Sequence, residues 1–320
     1  MIFYLGVHRP PWLRLMYEKL PFEKKPRAVP LFLSYSTLGS LGRLPRAVSR
    51  WALDSGAYTE LTHHGQWRIG ARAYAAGVQR IRTAVGNMDW AGPQDWTCDK
   101  KSLAMSGLTV LDHQKRTTRN LLDLWNLGAP VIPVLQGWTA DDYERHIEAY
   151  GKAGVDLHSA PLVGVGSVAG RQQTKFTWDL LAMLKARYGL RIHAFGLKRV
   201  GLINSARYIA SADSMGWSGE ARRERASDPA RRGHEGQHAS CANCIEKALE
   251  WRAEMLDIIR SQGVKVENGL VVTADQIIKH TGAGAVCHIP SARARGRAAA
   301  GEVLFESVRE SVLGRRRRAG

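Results

Sequence analysis

A (β/α)8 TIM barrel, an α/β fold in which parallel strands alternate with helices, is the fold class this sequence predicts. Three observations point there. Eight short apolar runs recur between residues 2 and 213, helix-like segments separate most of them, and no glycine-rich phosphate turn follows the first run.

The runs lie near residues 2–7, 30–36, 50–54 and 86–96, then 130–136, 162–168, 191–197 and 208–213. Several are continuously apolar rather than alternating, as strands covered on both faces are. Segments 70–84, 110–127, 140–153 and 173–187 have helical apolar spacing, and Thr139 with Asp141 and Asp142 offers a cap and first-turn acids. A doubly wound nucleotide-binding sheet would turn its first strand into a glycine-rich loop. Here that strand runs into His8-Arg9-Pro10-Pro11. Eight strands with helical crossovers therefore favour a closed barrel.

The pattern divides the 320 residues into a barrel core over 1–217, a zinc-binding loop and helix over 218–262, and a basic, partly flexible extension over 263–320. Within the second part, 218–240 reads as a polar exposed loop and 241–262 as a helix. The extension ends in Arg315-Arg316-Arg317-Arg318, a run suited to a nucleic acid backbone. No internal repeat is found.

The 44% hydrophobic content supports a sizeable core, and no apolar run reaches the roughly 18 residues a membrane helix needs. Without a signal-peptide pattern at the N-terminus, a soluble cytoplasmic protein with no membrane partner is expected, in a bacterial or phage-infected cell. A net charge of +17 and a pI near 10.1 point to a polyanion, since each neutralised phosphate releases counterions. An arginine-rich proteome is the plainer explanation of that charge. Four cysteines make no disulfide framework, which leaves Cys241-x-x-Cys244 as a motif with metal-ligand spacing.

Barrel enzymes keep their chemistry at the C-terminal ends of the strands. Standing there are Asp54-Ser55-Gly56, Asp95, Gln136-Gly137, Gly164-Val165-Gly166-Ser167, Lys198 and Asp213. Any one of these acids can be a turn residue, but three carboxylates and an amide at converging strand ends are costly to bury without a purpose. Lys198, Arg199, Arg171, Arg222, Arg223 and Arg225 follow strand ends too, and are expected to ring the mouth as a phosphate-binding rim.

His234, His238, Cys241 and Cys244 fall within eleven residues, a set of soft and borderline ligands suited to tetrahedral zinc in a structural role. A redox pair is the other reading of Cys-x-x-Cys. His234 is the weakest ligand, with His280 or the Cys287-His288 pair as substitutes.

Leu53-Asp54-Ser55-Gly56-Ala57-Tyr58 resembles the Asp-Ser-Gly-Gly-aromatic turn of the tRNA-guanine transglycosylases. Val134-Leu135-Gln136-Gly137 resembles their strand ending in Gln-Gly, and Val163-Gly164-Val165-Gly166 their base-binding strand. Asp213 stands where that family keeps its nucleophile, and the order of the elements matches across roughly residues 50–245. The chain is more similar still to the phage and bacterial-island branch that places 7-deazaguanine in DNA. That likeness rests on Pro93-Gln94-Asp95-Trp96, Gln136-Gly137-Trp138, Gly166-Ser167-Val168, Ser211-Ala212-Asp213-Ser214 and Cys241-Ala242-Asn243-Cys244. Two departures from the tRNA enzymes, Gly164-Val165 for Gly-Gly and two cysteines for three, count against tRNA.

The resemblance implies exchange of guanine for a free 7-deazaguanine base, such as 7-cyano-7-deazaguanine. Such an exchange suits a carboxylate nucleophile that captures the sugar, here Asp213, and a second carboxylate that gives and takes a proton, here Asp54. Asp95 can accept from the donor edge of a purine-like base, with Asp99 as an alternative. Gln136 can pair with its oxygen, and the small residues Ser55, Gly56, Gly164, Gly166 and Ser167 let the backbone approach. Tyr58 or Trp96 can stack on it. A tRNA-modifying enzyme is the first alternative and a zinc-stabilised nucleic-acid-binding barrel without activity the second. Oligomeric state is left open.

Overall fold

Period-two patterning decides which face each residue of the first strand, β1 (Ile2–Gly6), presents. Ile2 and Tyr4 join the apolar interior of a curled sheet, whereas Phe3 and Leu5 join the layer between sheet and helices. The computed structural model describes residues 1–18, 29–227, 240–266 and 273–281.

The chain continues through α1 (Trp12–Glu18), β2 (Leu31–Ser34), α2 (Tyr35–Leu38), β3 (Trp51–Asp54), α3 (Ala57–His64) and α4 (Ala71–Val85). It then forms β4 (Met88–Ala91), α5 (Lys100–Ser106), α6 (Val110–Asn126), β5 (Val134–Leu135), α7 (Ala140–Lys152) and β6 (Val163–Val165). The remainder is α8 (Lys175–Tyr188), β7 (Ile192–Ala194), α9 (Arg199–Ser205), β8 (Ser211–Ser214), α10 (Gly216–Ser227), α11 (Ile245–Ser261) and α12 (Ala274–Thr281). Every expected apolar run coincides with one strand, β8 passing the end of its run by one residue.

The eight strands form one parallel sheet in the order β4-β3-β2-β1-β8-β7-β6-β5. First and last strands are therefore neighbours at its centre, with Tyr4 in register with Asp213. The two edge strands approach each other through a bridge between Ala91 and Val131, where Ile132 N–H donates to Ala91 O over 3.1 Å. This curled parallel sheet is consistent with a TIM-like barrel.

Local chemistry explains the helix ends. Thr109 and Asp112, and Thr139 and Asp142, form reciprocal capping boxes at the starts of α6 and α7. Asp99 caps α5 by accepting from the Lys101 and Ser102 amides.

Inside the sheet, Tyr4, Phe32, Trp90 and Val134 form the apolar filling. A buried polar group lies among them: Asp89 accepts from Tyr4 Oη over 2.9 Å and from both Arg50 Nε and Nη2 over 2.9 Å. Helix α12 sends Ile277 into the same interior cluster, and its Asp275 pairs with Arg82.

Two expectations need correction. In place of the loop that the polar sequence predicts over 218–240, residues 218–227 continue α10, because Trp217, Ser218 and Ala221 bury one side of an otherwise charged helix, and 228–239 lie outside the described residues. The run 86–96 yields a strand of only Met88–Ala91, and the chain leaves the sheet at Gly92-Pro93. The run Arg315–Arg318 lies outside the described residues.

Candidate active site

The C-terminal ends of β3, β4, β5 and β6 surround a cavity of about 280 Å³. Its lining includes Asp54, Ser55, Asp95, Gln136, Gly166 and Ser167.

Asp54 ends β3 and Gly56 turns the chain into α3 with φ of 84°, a left-handed value that glycine adopts without strain. A Cβ there would also stand 3.2 Å from Ser34 Oγ. Burial pushes the Asp54 carboxyl up to about 6; the Gly56 amide pulls it back, and the charge of Asp213 raises it again. A carboxyl poised there can donate and accept a proton near neutral pH.

Asp95 follows the break at Gly92-Pro93 and is 7% exposed. Gln136 Nε2 donates to its Oδ2 over 2.5 Å, and Ser55 Oγ to its Oδ1 over 3.3 Å. Burial pushes this carboxyl up to about 7, against the pull of Gln136. Gln136 is itself fixed: its N–H donates to His146 Nδ1 over 2.9 Å, its carbonyl accepts from Gln114 Nε2 over 2.8 Å, and its Oε1 accepts from Ser167 Oγ over 2.7 Å. Burial holds His146 down at about 3, which suits a ring that accepts the Gln136 amide. Ser167 takes a left-handed φ of 56° and accepts the Cys98 amide over 2.8 Å. Gly166 is required by this arrangement, since a Cβ there would lie 2.1 Å from Gln136 Nε2.

Asp213 lies on β8, 8% exposed, near enough to Asp54 for their charges to interact. Gly196 N–H donates to its Oδ1 over 3.0 Å, and His193 Nε2 stands 3.3 Å from the same oxygen. His193 is fully buried and its Nδ1 is 2.9 Å from Ser211 Oγ. Among the described residues, no side chain or amide donates to Oδ2 of Asp213.

The other candidates sort by position. Gly164 does not line the cavity; a Cβ there would meet Val134 and the ring of Phe195, which itself lines the cavity. Lys198, Arg199, Arg222 and Arg223 are not in the lining either. Arg199 pairs with Glu220 and Glu254, Arg222 donates to Ser218 Oγ, and Arg223 is exposed on α10. Arg171 is the basic residue in the lining. Asp99 lines the cavity but uses its oxygens to cap α5, so Asp95 is the better base acceptor. Tyr58, 57% exposed, stands in the lining, whereas Trp96 is buried beneath Arg116. Sequence reading missed His193, Phe195 and Ser34. Each is one residue inside an apolar run, and a polar residue inside such a run was the available signal for His193 and Ser34.

Cys241 and Cys244 stand at either end of one 3-10 turn closed by a 3.2 Å bond from Cys244 N–H to Cys241 O. Ser218 Oγ ties this turn to α10 by donating to Ala242 O. Burial pushes the Cys244 thiol up to about 12, and it donates to Glu246 Oε2 over 3.1 Å. Two thiols so spaced fit half of a tetrahedral zinc site. His234, His238 and Cys287 lie outside the described residues, among which no group of three metal-ligating side chains occurs. No helix of the described residues is long and apolar enough to cross a membrane.

Comparison with known proteins adds one match. The family model described as DpdA, DeoxyPurine in DNA protein A, matches residues 1–304. No curated protein matches the chain.

Proposed function

We propose, from the premise that the chain belongs to the DpdA family of DNA-guanine transglycosylases, that Asp213 and Asp54 carry out the exchange as nucleophile and proton carrier. The family's activity, a pentosyl transfer that places 7-deazaguanine in DNA, is the activity of this chain. The residue roles are our reading. One observation supports them most: Asp54 lines a cavity walled by a hydrogen-bonded carboxylate–amide pair, and Asp213, outside that lining, is near enough for its charge to act on Asp54.

Oδ2 of Asp213 attacks C1′ of the deoxyguanosine. The C1′–N9 bond breaks, its electron pair passes into the guanine ring, and Asp54 supplies the proton that the leaving base needs. The transition state is oxocarbenium-like, so a carboxylate beside the anomeric carbon stabilises it. The incoming 7-deazaguanine then gives its N9 proton to Asp54 and attacks C1′, and Asp213 is released. Asp95 accepts from the ring and exocyclic N–H groups of either base while Gln136 holds the wall.

The curled sheet, with edges joined at Ala91–Val131, supports the closed (β/α)8 TIM barrel. A structural zinc held by Cys241, Cys244, His238 and His234 would brace the turn tied to α10 and α11. Lys198, Arg199, Arg222 and Arg223 supply a basic surface near β7 and β8 that can contact phosphates while the target nucleotide is flipped. A cytoplasmic enzyme is the matching location.

The test is a side-by-side assay of labelled 7-cyano-7-deazaguanine with DNA and with bulk tRNA. Incorporation into DNA, lost in Asp213→Asn with DNA affinity retained, is expected. An active Asn variant would remove Asp213 from its role.

A further inference from the structure

Arg171 is the cation that faces the cavity, and the protein holds it rigidly. Its Nε donates to Ser167 O over 3.1 Å, Nη1 to Trp138 O over 2.6 Å and Nη2 to Tyr143 Oη over 3.4 Å. The guanidinium lies 4.0 Å from the ring centre of Trp138 and 4.5 Å from that of Phe176. These contacts use three of its five N–H groups, and no acidic side chain among the described residues pairs with it. Its positive charge is therefore open to whatever occupies the cavity.

The wall beneath it has an order. Asp95 bonds Gln136, Gln136 bonds Ser167, and Ser167 bonds Arg171. A guanine-like base has an order as well: the N2 and N1 donors, then O6, then the substituent on C7. With the donors on Asp95 and O6 toward Gln136, the C7 substituent falls at Ser167 and Arg171. Asp99, an acid that also lines the cavity, turns its oxygens to the Lys101 and Ser102 amides and the Ser102 hydroxyl, so its charge is spent on capping α5 rather than paired with Arg171.

We propose that Arg171 reads the group on C7 of the incoming base, favouring a neutral hydrogen-bond acceptor such as a nitrile and excluding an ammonium. The proposal rests on the reading of Asp95 and Gln136 as the base-binding wall. A fixed guanidinium can donate to a nitrile nitrogen, whereas an aminomethyl group brings a second cation into a partly desolvated site.

The experiment measures kcat/KM for 7-cyano-, 7-methyl- and 7-aminomethyl-7-deazaguanine with a DNA substrate. Each value is normalised to labelled guanine exchange by the same protein, because guanine has no C7 substituent. Wild type is expected to prefer the cyano over the aminomethyl base by at least about tenfold, with the neutral methyl base between them. Arg171→Met should collapse that ratio to near unity and Arg171→Lys should retain it. An unchanged ratio in Arg171→Met, or wild type that uses the aminomethyl base as well as the cyano base, overturns the proposal. Should Arg171→Met exchange no base, the ratio is read as dissociation constants from tryptophan fluorescence, with the same two outcomes. Absence of guanine exchange into DNA by wild type would instead defeat the underlying site reading.

Discussion

His193 Nε2 lies 3.3 Å from Oδ1 of Asp213, the oxygen that also receives the Gly196 amide. A carboxylate can only accept, so Nε2 turns a hydrogen toward it, while Nδ1 meets the Ser211 hydroxyl at 2.9 Å. Trp90 and Phe195 stand edge-on to the imidazole at 4.7 and 4.6 Å and prevent its rotation. Both donors therefore fix one oxygen of Asp213 and leave the other as the attacking atom.

Replacing His193 by Phe keeps the ring packing and removes the donor. The expected result is a ten- to hundredfold lower kcat with little change in KM for base or DNA, in line with other groups that orient a reacting side chain. Gln can return a donor near Nε2, so His193→Gln should recover much of the rate. Equal losses in Phe and Gln variants of unchanged stability would show that orientation of Asp213 is not the role.

Asp95 links the site to stability. Its folded carboxyl is raised to about 7 against an ordinary value near 4, so the folded state binds more protons between those limits. Stability from this group is present at low pH and declines as pH rises through 7. Asp95→Asn should thus be more stable than wild type at pH 8, by about 1–3 kcal/mol, with the gap closing toward pH 4. Base binding should be lost at every pH. Urea denaturation at four pH values checks this, and a pH-independent gap would refute the linkage.

Gly166→Ala tests the fit of the wall. The new methyl would occupy space held by Gln136 Nε2, so the amide must leave Asp95. We expect KM for the free base to rise at least about tenfold and stability to fall by about 1–3 kcal/mol, with DNA affinity unchanged. Base titration of the variant is sufficient to decide.

For zinc, elemental analysis of purified protein should find one ion per chain, and Cys241→Ser should lose both the metal and thermal stability. Stoichiometric zinc in that variant would exclude Cys241 as a ligand.

The strand ends were legible because burial on both faces makes continuous apolar runs, and Asp54, Asp95, Gln136 and Asp213 interrupt or end those runs. Depth within the sheet was not legible. Gly164 and Gly166 share a face and look equivalent in a string of residues, yet Gly166 lies against Gln136 in the cavity lining while Gly164 lies outside it, against Val134 and Phe195. Helix α10 is hidden by its charge, since only Gly216, Trp217, Ser218 and Ala221 are buried in an otherwise polar segment. His193 reads in sequence as one more residue of an apolar strand, and only packing shows that it stands against Asp213.

The join between β4 and β5 has a mechanical consequence. It consists of the single Ala91–Val131 bridge, and β5 itself is two residues long, so little backbone bonding resists parting along that line. Asp95 and Gln136 extend from its two sides, and their 2.5 Å bond crosses it. A base gripped by both acts as a rivet across the weakest line of the wall. Its arrival should slow solvent exchange of the Ile132 amide, which donates to Ala91 across the join, so an empty pocket breathes and a filled one is locked.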